Sequence, residues 1–142
     1  MSNYSFSHTI TPRENSNDQL LIDVLNGLLE RYINRVPDAQ RIIELITNRG
    51  DQIINDHIAF RSIYIESILT IFLHLGFEVK MDLNTNRPFN FEEKKLTAVW
   101  LKHPNKDVPR IFVSQFRFDE GSEILQETVN KYLEKWSDPI DS

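Results

Sequence analysis

Apolar residues recur at helical spacing in the first third of the chain. Over residues 19–35 they stand three and four positions apart, which predicts a helix with one buried stripe. Asn17 or Asp18 is a suitable N-cap for this helix. The buried stripe consists of Leu21, Val24, Leu25, Leu28 and Tyr32.

A second helix is predicted almost immediately, in the stretch "RVPDAQRIIELITNRG". Pro37 suits its first turn, and Gly50 suits the position just past its end. Its buried face is expected to hold Ile42, Ile43 and Ile46. The two helices have almost no connection between them, so we predict a helical hairpin over residues 17–50.

After Gly50 the pattern changes to alternating and short apolar runs. Residues 52–64 read as a strand, and "ESILTIFLHLGF" reads as an amphipathic helix that ends at Gly76. Further strands are predicted in "EVKMDL", "KLTAVWLKH" and "RIFVSQFRF", with "NTNRPFNFEEK" as a turn-rich connection. The stretch "SEILQETVNKYLEKW" is a final amphipathic helix with Ser122 as its cap.

This order predicts an α+β fold. The helical hairpin is followed by one βαβββ unit over residues 51–118 and by a C-terminal helix over 122–136, all within a single domain spanning 17–142. Residues 1–16 are expected to form a flexible tail. One face of the sheet lacks predicted helices to cover it, and a homodimer is one way to cover that face.

Composition narrows the class of protein. The chain has 142 residues, of which 40% are hydrophobic, enough for the core of one domain. Its net charge of -5 argues against non-specific nucleic-acid binding. It has no cysteine, which excludes disulfides and thiolate metal sites and makes a cytoplasmic location the expectation. No apolar run approaches the roughly 20 residues that cross a membrane, so no membrane association is expected.

The strand predicted over 52–64 carries the most informative polar residues. Side chains alternate across a strand, so His57, Ala59 and Arg61 share one face, while Ile58 and Phe60 face the helices. At about 3.3 Å per residue, the Cα atoms of His57 and Arg61 lie about 13 Å apart. A neutral imidazole is a common metal ligand, and a guanidinium matches a carboxylate in two-point geometry. The alternative is that both are solvent-exposed edge residues.

The other polar candidates have plainer interpretations. His8 lies in the tail, His74 is expected to face solvent, and His103 is expected only to end a strand. Glu78 and Asp82 are predicted surface residues. Ser114 and Gln115 are candidates to face a cavity, and no residue is assigned as a catalytic acid, base or nucleophile. Three aromatic residues on strands are expected in the core: Trp100, Phe112 and Phe116.

Four stretches together resemble the N-terminal part of the 2-oxoadipate dioxygenase/decarboxylase, or hydroxyglutarate synthase, family. They are "LLERYINRVPDAQRIIELITNRGDQII", "NDHIAFRS", "KKLTAVWLKHP" and "PRIFVSQF", in this order. The resemblance implies a fold related to the vicinal-oxygen-chelate barrels. It also implies an iron(II) enzyme of lysine catabolism that converts 2-oxoadipate and dioxygen into 2-hydroxyglutarate and carbon dioxide. By the same resemblance, His57 is one iron ligand and Arg61 binds the substrate.

The resemblance also implies ligands that this sequence does not supply. The second His and the Glu of the family's iron site belong to a second βαβββ unit, which would begin near the end of this sequence. A homodimer could bring two units together. Two other hypotheses therefore stay open. One is a shortened, catalytically inactive member that acts as a binding or dimerisation module. The other is a metal-free module that binds small acids through Arg61.

Overall fold

The elements follow the predicted order closely. The computed structural model describes residues 4–82 and 87–135. Short 3-10 turns occupy Phe6–His8 and Phe118–Glu120. The helices are α1 (Asp18–Arg35), α2 (Pro37–Asn48), α3 (Ile65–His74) and α4 (Glu123–Leu133). The strands are β1 (His57–Ser62), β2 (Glu78–Lys80), β3 (Phe89–Phe91), β4 (Leu96–Lys102) and β5 (Arg110–Phe116).

The five strands form one mixed sheet in the order β1-β5-β4-β2, and β3 also pairs with β4. β1 runs parallel to β5, and the other pairings are antiparallel. β1 therefore lies at an edge of the sheet. The α+β class is confirmed, and so is the βαβββ unit after two helices, to which the short strand β3 is an addition.

Element boundaries differ from the prediction where strand pairing decides them. β1 is shorter than the predicted strand over 52–64, because its partner β5 begins only at Arg110, opposite His57. β3 falls inside the stretch predicted as a turn-rich connection. It forms a hairpin with β4, in which Lys95 adopts a positive φ of 49°. Residues 83–86, which end the predicted "EVKMDL" strand and begin that connection, lie outside the described residues, as does the predicted helix end at 136.

The core lies between one face of the sheet and helices α1 and α3. Ile58 and Phe60 of β1 pack against it, as the strand alternation predicted. α3 buries Phe72, and Leu75 follows at its end. The fully buried centre consists of Leu21, Ile22, Leu25, Leu101, Ile111 and Val113.

The predicted flexible tail is wrong for residues 4–16. Phe6 and Ile10 are buried in the same core. The backbone N–H of Phe6 donates to Oδ1 of Asn26 on α1 at 2.8 Å. Two apolar residues in a polar stretch give no periodicity, so the sequence pattern could not reveal this packing.

Helix α2 also differs from the prediction. Ile42, expected to be buried, is exposed, and Ile43 and Ile46 are only half-buried. A groove of 720 Å³ lies beside β1 and is lined by this helix as well as by α1.

None of the described helices is long and apolar enough to cross a membrane.

Candidate functional site

One surface of the sheet gathers the candidate residues. Along β1, exposed residues alternate with half-buried ones. Residues paired in register carry their side chains on the same side of a sheet. On β5, Ile111 and Val113 are fully buried on the helix-covered side, so the alternate residues face the other way. We call the second surface the open face; it carries His57, Ala59, Arg61, Arg110, Phe112, Ser114, Phe116, Leu96, Ala98, Trp100 and Lys102.

His57 stands at the start of β1 with 61% of its side chain exposed. Its Nδ1 lies 3.2 Å from Oδ2 of Asp56. An imidazole that donates from Nδ1 to a carboxylate presents Nε2 as a free lone pair, the usual arrangement for a metal-binding histidine. His57 is therefore accessible and oriented for a ligand.

Arg61 lies four residues further along β1 on the same face and is also exposed. It pairs in register with Ser114, which is buried and whose hydroxyl donates to the carbonyl of Phe60 at 3.4 Å. Within residues 4–82 and 87–135, no carboxylate forms an ion pair with Arg61. Its guanidinium is thus available to an anion.

The described residues do not form an iron site by themselves. A non-haem iron site of this kind needs two imidazoles and a carboxylate. No group of three or more His, Asp or Glu side chains with metal-binding geometry occurs in the described part of the chain. His74 is exposed on α3, as predicted. Its Nδ1 lies 2.7 Å from the carbonyl oxygen of Thr70 in the same helix. His57 therefore stands without other ligands here.

His103 has a structural role that the sequence did not reveal. It is buried, its Nε2 lies 3.1 Å from the carbonyl of Leu75, and its Nδ1 accepts from the backbone N–H of Asn105. Asn105 in turn donates to Oδ2 of the buried Asp18 at 2.9 Å. Arg13 completes this network with three hydrogen bonds to the same carboxylate.

The pKa values of Asp18 and His103 are both lowered in the folded protein. The Arg13 guanidinium, through its hydrogen bonds, holds the pKa of Asp18 well below its usual range. Burial lowers the pKa of His103 below its usual 6.5, although the bond to Leu75 opposes this shift. Both groups therefore favour the forms that the network requires, an ionised carboxylate and a neutral imidazole.

The strand aromatics and Gln115 differ from their predicted places. Trp100, Phe112 and Phe116 are half-buried on the open face rather than in the helix-covered core. Gln115 faces the helices, where its Oε1 accepts from the backbone N–H of Ile65 at 3.0 Å and so caps α3. Glu78 pairs with Lys80 at 2.9 Å on the surface, as predicted.

The fold is shared with a solved protein of low sequence identity. The chain superimposes with a TM-score of 0.77 on a Ralstonia eutropha protein described as belonging to the glyoxalase superfamily. The match covers 99% of this chain and 47% of that one, at 17% identity, and shows a shared fold. The βαβββ unit of this chain thus has the same fold as the corresponding part of that protein, as the predicted fold class requires.

The family follows from sequence. The model of the 2-oxoadipate dioxygenase/decarboxylase family matches residues 24–139, and the chain belongs to this family. A chloroplastic/amyloplastic 2-oxoadipate dioxygenase/decarboxylase of rice is 30% identical over 132 residues, covering 82% of this chain and 35% of the rice protein. The predicted family membership is confirmed.

A solved relative adds a ligand-bound comparison. The hydroxyglutarate synthase of Oryza sativa, crystallised in complex with 2-oxoadipate, has a TM-score of 0.76 and 28% identity to this chain. The alignment covers 88% of this chain and 43% of that one. The chain spans about a third of the length of the curated relatives it matches.

Proposed function

We propose that this chain contributes one half of the active site of an iron(II)-dependent dioxygenase/decarboxylase. The substrate would be a 2-oxo dicarboxylic acid, 2-oxoadipate, which reacts with dioxygen to give 2-hydroxyglutarate and carbon dioxide. Family membership supports the reaction class, and the rice relative's complex with 2-oxoadipate supports the substrate class. The observation that carries the proposal is that His57 and Arg61 lie exposed on one face of β1.

Each residue has a distinct task in this proposal. Arg61, which has no ion-pair partner in the described ranges, binds the carboxylate far from the reacting end through two parallel hydrogen bonds. His57 supplies one iron ligand through Nε2, with Asp56 holding the ring. The remaining ligands would come from outside this copy of the described residues, either from a second copy that faces the open face in a homodimer or from a further unit.

A second candidate function is a non-catalytic binding or dimerisation module. Among the described residues, His57 is the one imidazole on the open face, and no cluster of three metal-binding side chains occurs, which favours this candidate. In that case the open face binds a partner, no iron is bound there, and 2-oxoadipate is not converted. A protein that consumes oxygen on addition of 2-oxoadipate excludes this alternative.

Iron stoichiometry separates the two functions. The protein is loaded with Fe(II) without oxygen and desalted, and iron is counted per chain in the wild type, His57→Ala and His74→Ala. The enzyme hypothesis expects one iron per chain or per dimer, lost in His57→Ala and kept in the exposed control His74→Ala. Iron that is absent from the wild type, or equal in both variants, contradicts the role of His57. Oxygen uptake with 2-oxoadipate then tests the reaction.

A further inference from the structure

Arg110 lies beside His57 on the open face. The two residues are in register across the parallel pair β1–β5, and neighbouring strands lie about 4.8 Å apart. The backbone N–H of Arg110 also donates to the carbonyl of Asp56 at 3.0 Å, which fixes this end of β5 against the residue before His57. Arg110 is exposed, so its side chain is accessible from the same side as His57.

Trp100 fixes where the Arg110 guanidinium lies. The guanidinium carbon of Arg110 sits 5.4 Å from the centroid of the Trp100 ring, within the range of a cation–π contact. This contact orients the charge without neutralising it. Arg110 has no ion pair with any carboxylate in the described parts of the chain.

The space beside Arg110 suits an anion. Arg110 lines a cleft of 580 Å³ together with Lys102 and Lys106. Two carboxylates share this cleft, and both have hydrogen-bonding partners: Asp56 contacts His57, and Asp107 accepts from the backbone N–H of Thr11 at 3.3 Å. The lining of the cleft carries three cationic side chains against two carboxylates, so its charged side chains leave a positive excess.

We propose that Arg110 is a second substrate-binding arginine, which holds the carboxylate of the 2-oxo acid end while Arg61 holds the far carboxylate. This inference rests on the proposed function for the identity of the substrate. Arg110 lies beside His57, and Arg61 lies four residues further along β1 on the same face, so the two long side chains can reach inward to a dicarboxylate that lies along β1 between them. Trp100 is then a positioning residue for the guanidinium.

Two ligands separate the tasks of the two arginines. Dissociation constants of 2-oxoadipate and of 2-oxohexanoate, which lacks the far carboxylate, are measured by NMR titration on the metal-free protein. Arg110→Met is expected to weaken both ligands by about ten-fold and to keep their ratio, because both share the 2-oxo acid end. Arg61→Met is expected to weaken the binding of 2-oxoadipate alone. The dissociation constants of the two ligands should then become nearly equal. Arg110→Lys is expected to recover part of the loss.

Controls keep the outcomes distinct. Arg31→Met, at an exposed position on α1, is expected to bind as the wild type does, and thermal melting checks that each variant is folded. An Arg110→Met protein that binds both ligands normally, or that loses only 2-oxoadipate, overturns the assignment of Arg110. So does a wild type that binds neither ligand. If Arg61→Met binds both ligands as the wild type does while Arg110→Met binds them more weakly, the proposed role of Arg61 is overturned and the role of Arg110 is retained. These titrations use the metal-free protein, so their interpretation does not depend on whether iron loading succeeds.

Discussion

At the scale of single residues, a buried carboxylate joins the N-terminal segment to the far side of the domain. Asp18, only 2% exposed, accepts hydrogen bonds from Arg13 and from Asn105. The pKa of Asp18 is depressed in the folded state, so the stability that it contributes is present above its unfolded pKa of about 3.9. That contribution is lost as the pH falls below this value.

Replacing this carboxylate is expected to destabilise the fold. In Asp18→Asn, an amide NH₂ group would face the donors of Arg13 and Asn105, and the loss is expected to be about 2 kcal/mol in the free energy of unfolding. Urea denaturation at pH 7 measures it. Asp23→Asn, in the same helix but exposed, is the matched control and is expected to stay within about 0.5 kcal/mol of the wild type. Equal losses in both variants would contradict the role of Asp18.

His103 gives the stability a second pH dependence. Burial lowers the pKa of His103 in the folded protein. As the pH falls below 6.5, His103 therefore binds a proton in the unfolded chain before it does so in the folded protein. Stability is expected to be full above pH 6.5 and to fall below it, by at most about 1.4 kcal/mol per pH unit, until the folded pKa is passed. Urea denaturation between pH 7.5 and 5 checks this. His103→Gln is expected to reduce the slope, and His74→Gln to keep it; a slope unchanged in His103→Gln is the contrary outcome.

At the scale of elements, two glycines respond to the same substitution in opposite ways. Gly76 ends α3 with a positive φ of 94°, and a Cβ there would lie 3.1 Å from Nε2 of His103. Gly76→Ala is expected to cost about 1–2 kcal/mol, since it strains the backbone and disturbs the bond from His103 to Leu75. Gly27 lies inside α1, where a Cβ meets nothing within 4 Å. Gly27→Ala is expected to stabilise by about 0.5–1 kcal/mol. Thermal melting compares them, and shifts of the same sign would contradict this account.

The sequence predicts elements better than it predicts their partners. Helical spacing located α1, and strand alternation placed Ile58 inward and Arg61 outward, because these patterns are local. The packing of Phe6, the capping of α3 by Gln115 and the burial of His103 depend on residues 20 to 50 positions away. Such contacts leave no periodic signal. Of the candidate site, the shared face of His57 and Arg61 was predictable, whereas the position of Arg110 beside His57 required the strand register.

At the scale of the whole molecule, the two faces of the sheet differ in how far the chain's own helices cover them. One face is sealed by α1 and α3, while the other presents half-buried aromatic rings such as Phe112 and Trp100 beside exposed cations. Half-buried rings on a sheet surface are typical of an interface that another element covers. The proposed homodimer would use this surface.

A charge on the open face tests this association. The side chain of Phe112 lies opposite the helix-covered core, so Phe112→Lys is expected to leave the fold intact and to convert a dimer into a monomer. Sedimentation velocity over a range of concentrations measures both proteins, and circular dichroism checks the fold. Phe91 pairs in register with Leu96 and so lies on the same face at its outer strand β3; Phe91→Lys is expected to weaken the dimer less than Phe112→Lys does. A wild type that stays monomeric at all concentrations would contradict the homodimer.

The buried network also bears on kinetics. The bond from Asn105 to Asp18 joins residues 87 positions apart, and another from Asn105 to the carbonyl of Thr11 joins residues 94 apart. Closing loops of this length carries a large entropy cost, so we expect these contacts to form after the folding transition state. Interactions that are absent from the folding transition state slow unfolding without speeding folding. We therefore expect the Asp18 network to govern how long a molecule stays folded, and Asp18→Asn to accelerate unfolding in stopped-flow experiments while the refolding rate stays nearly the same.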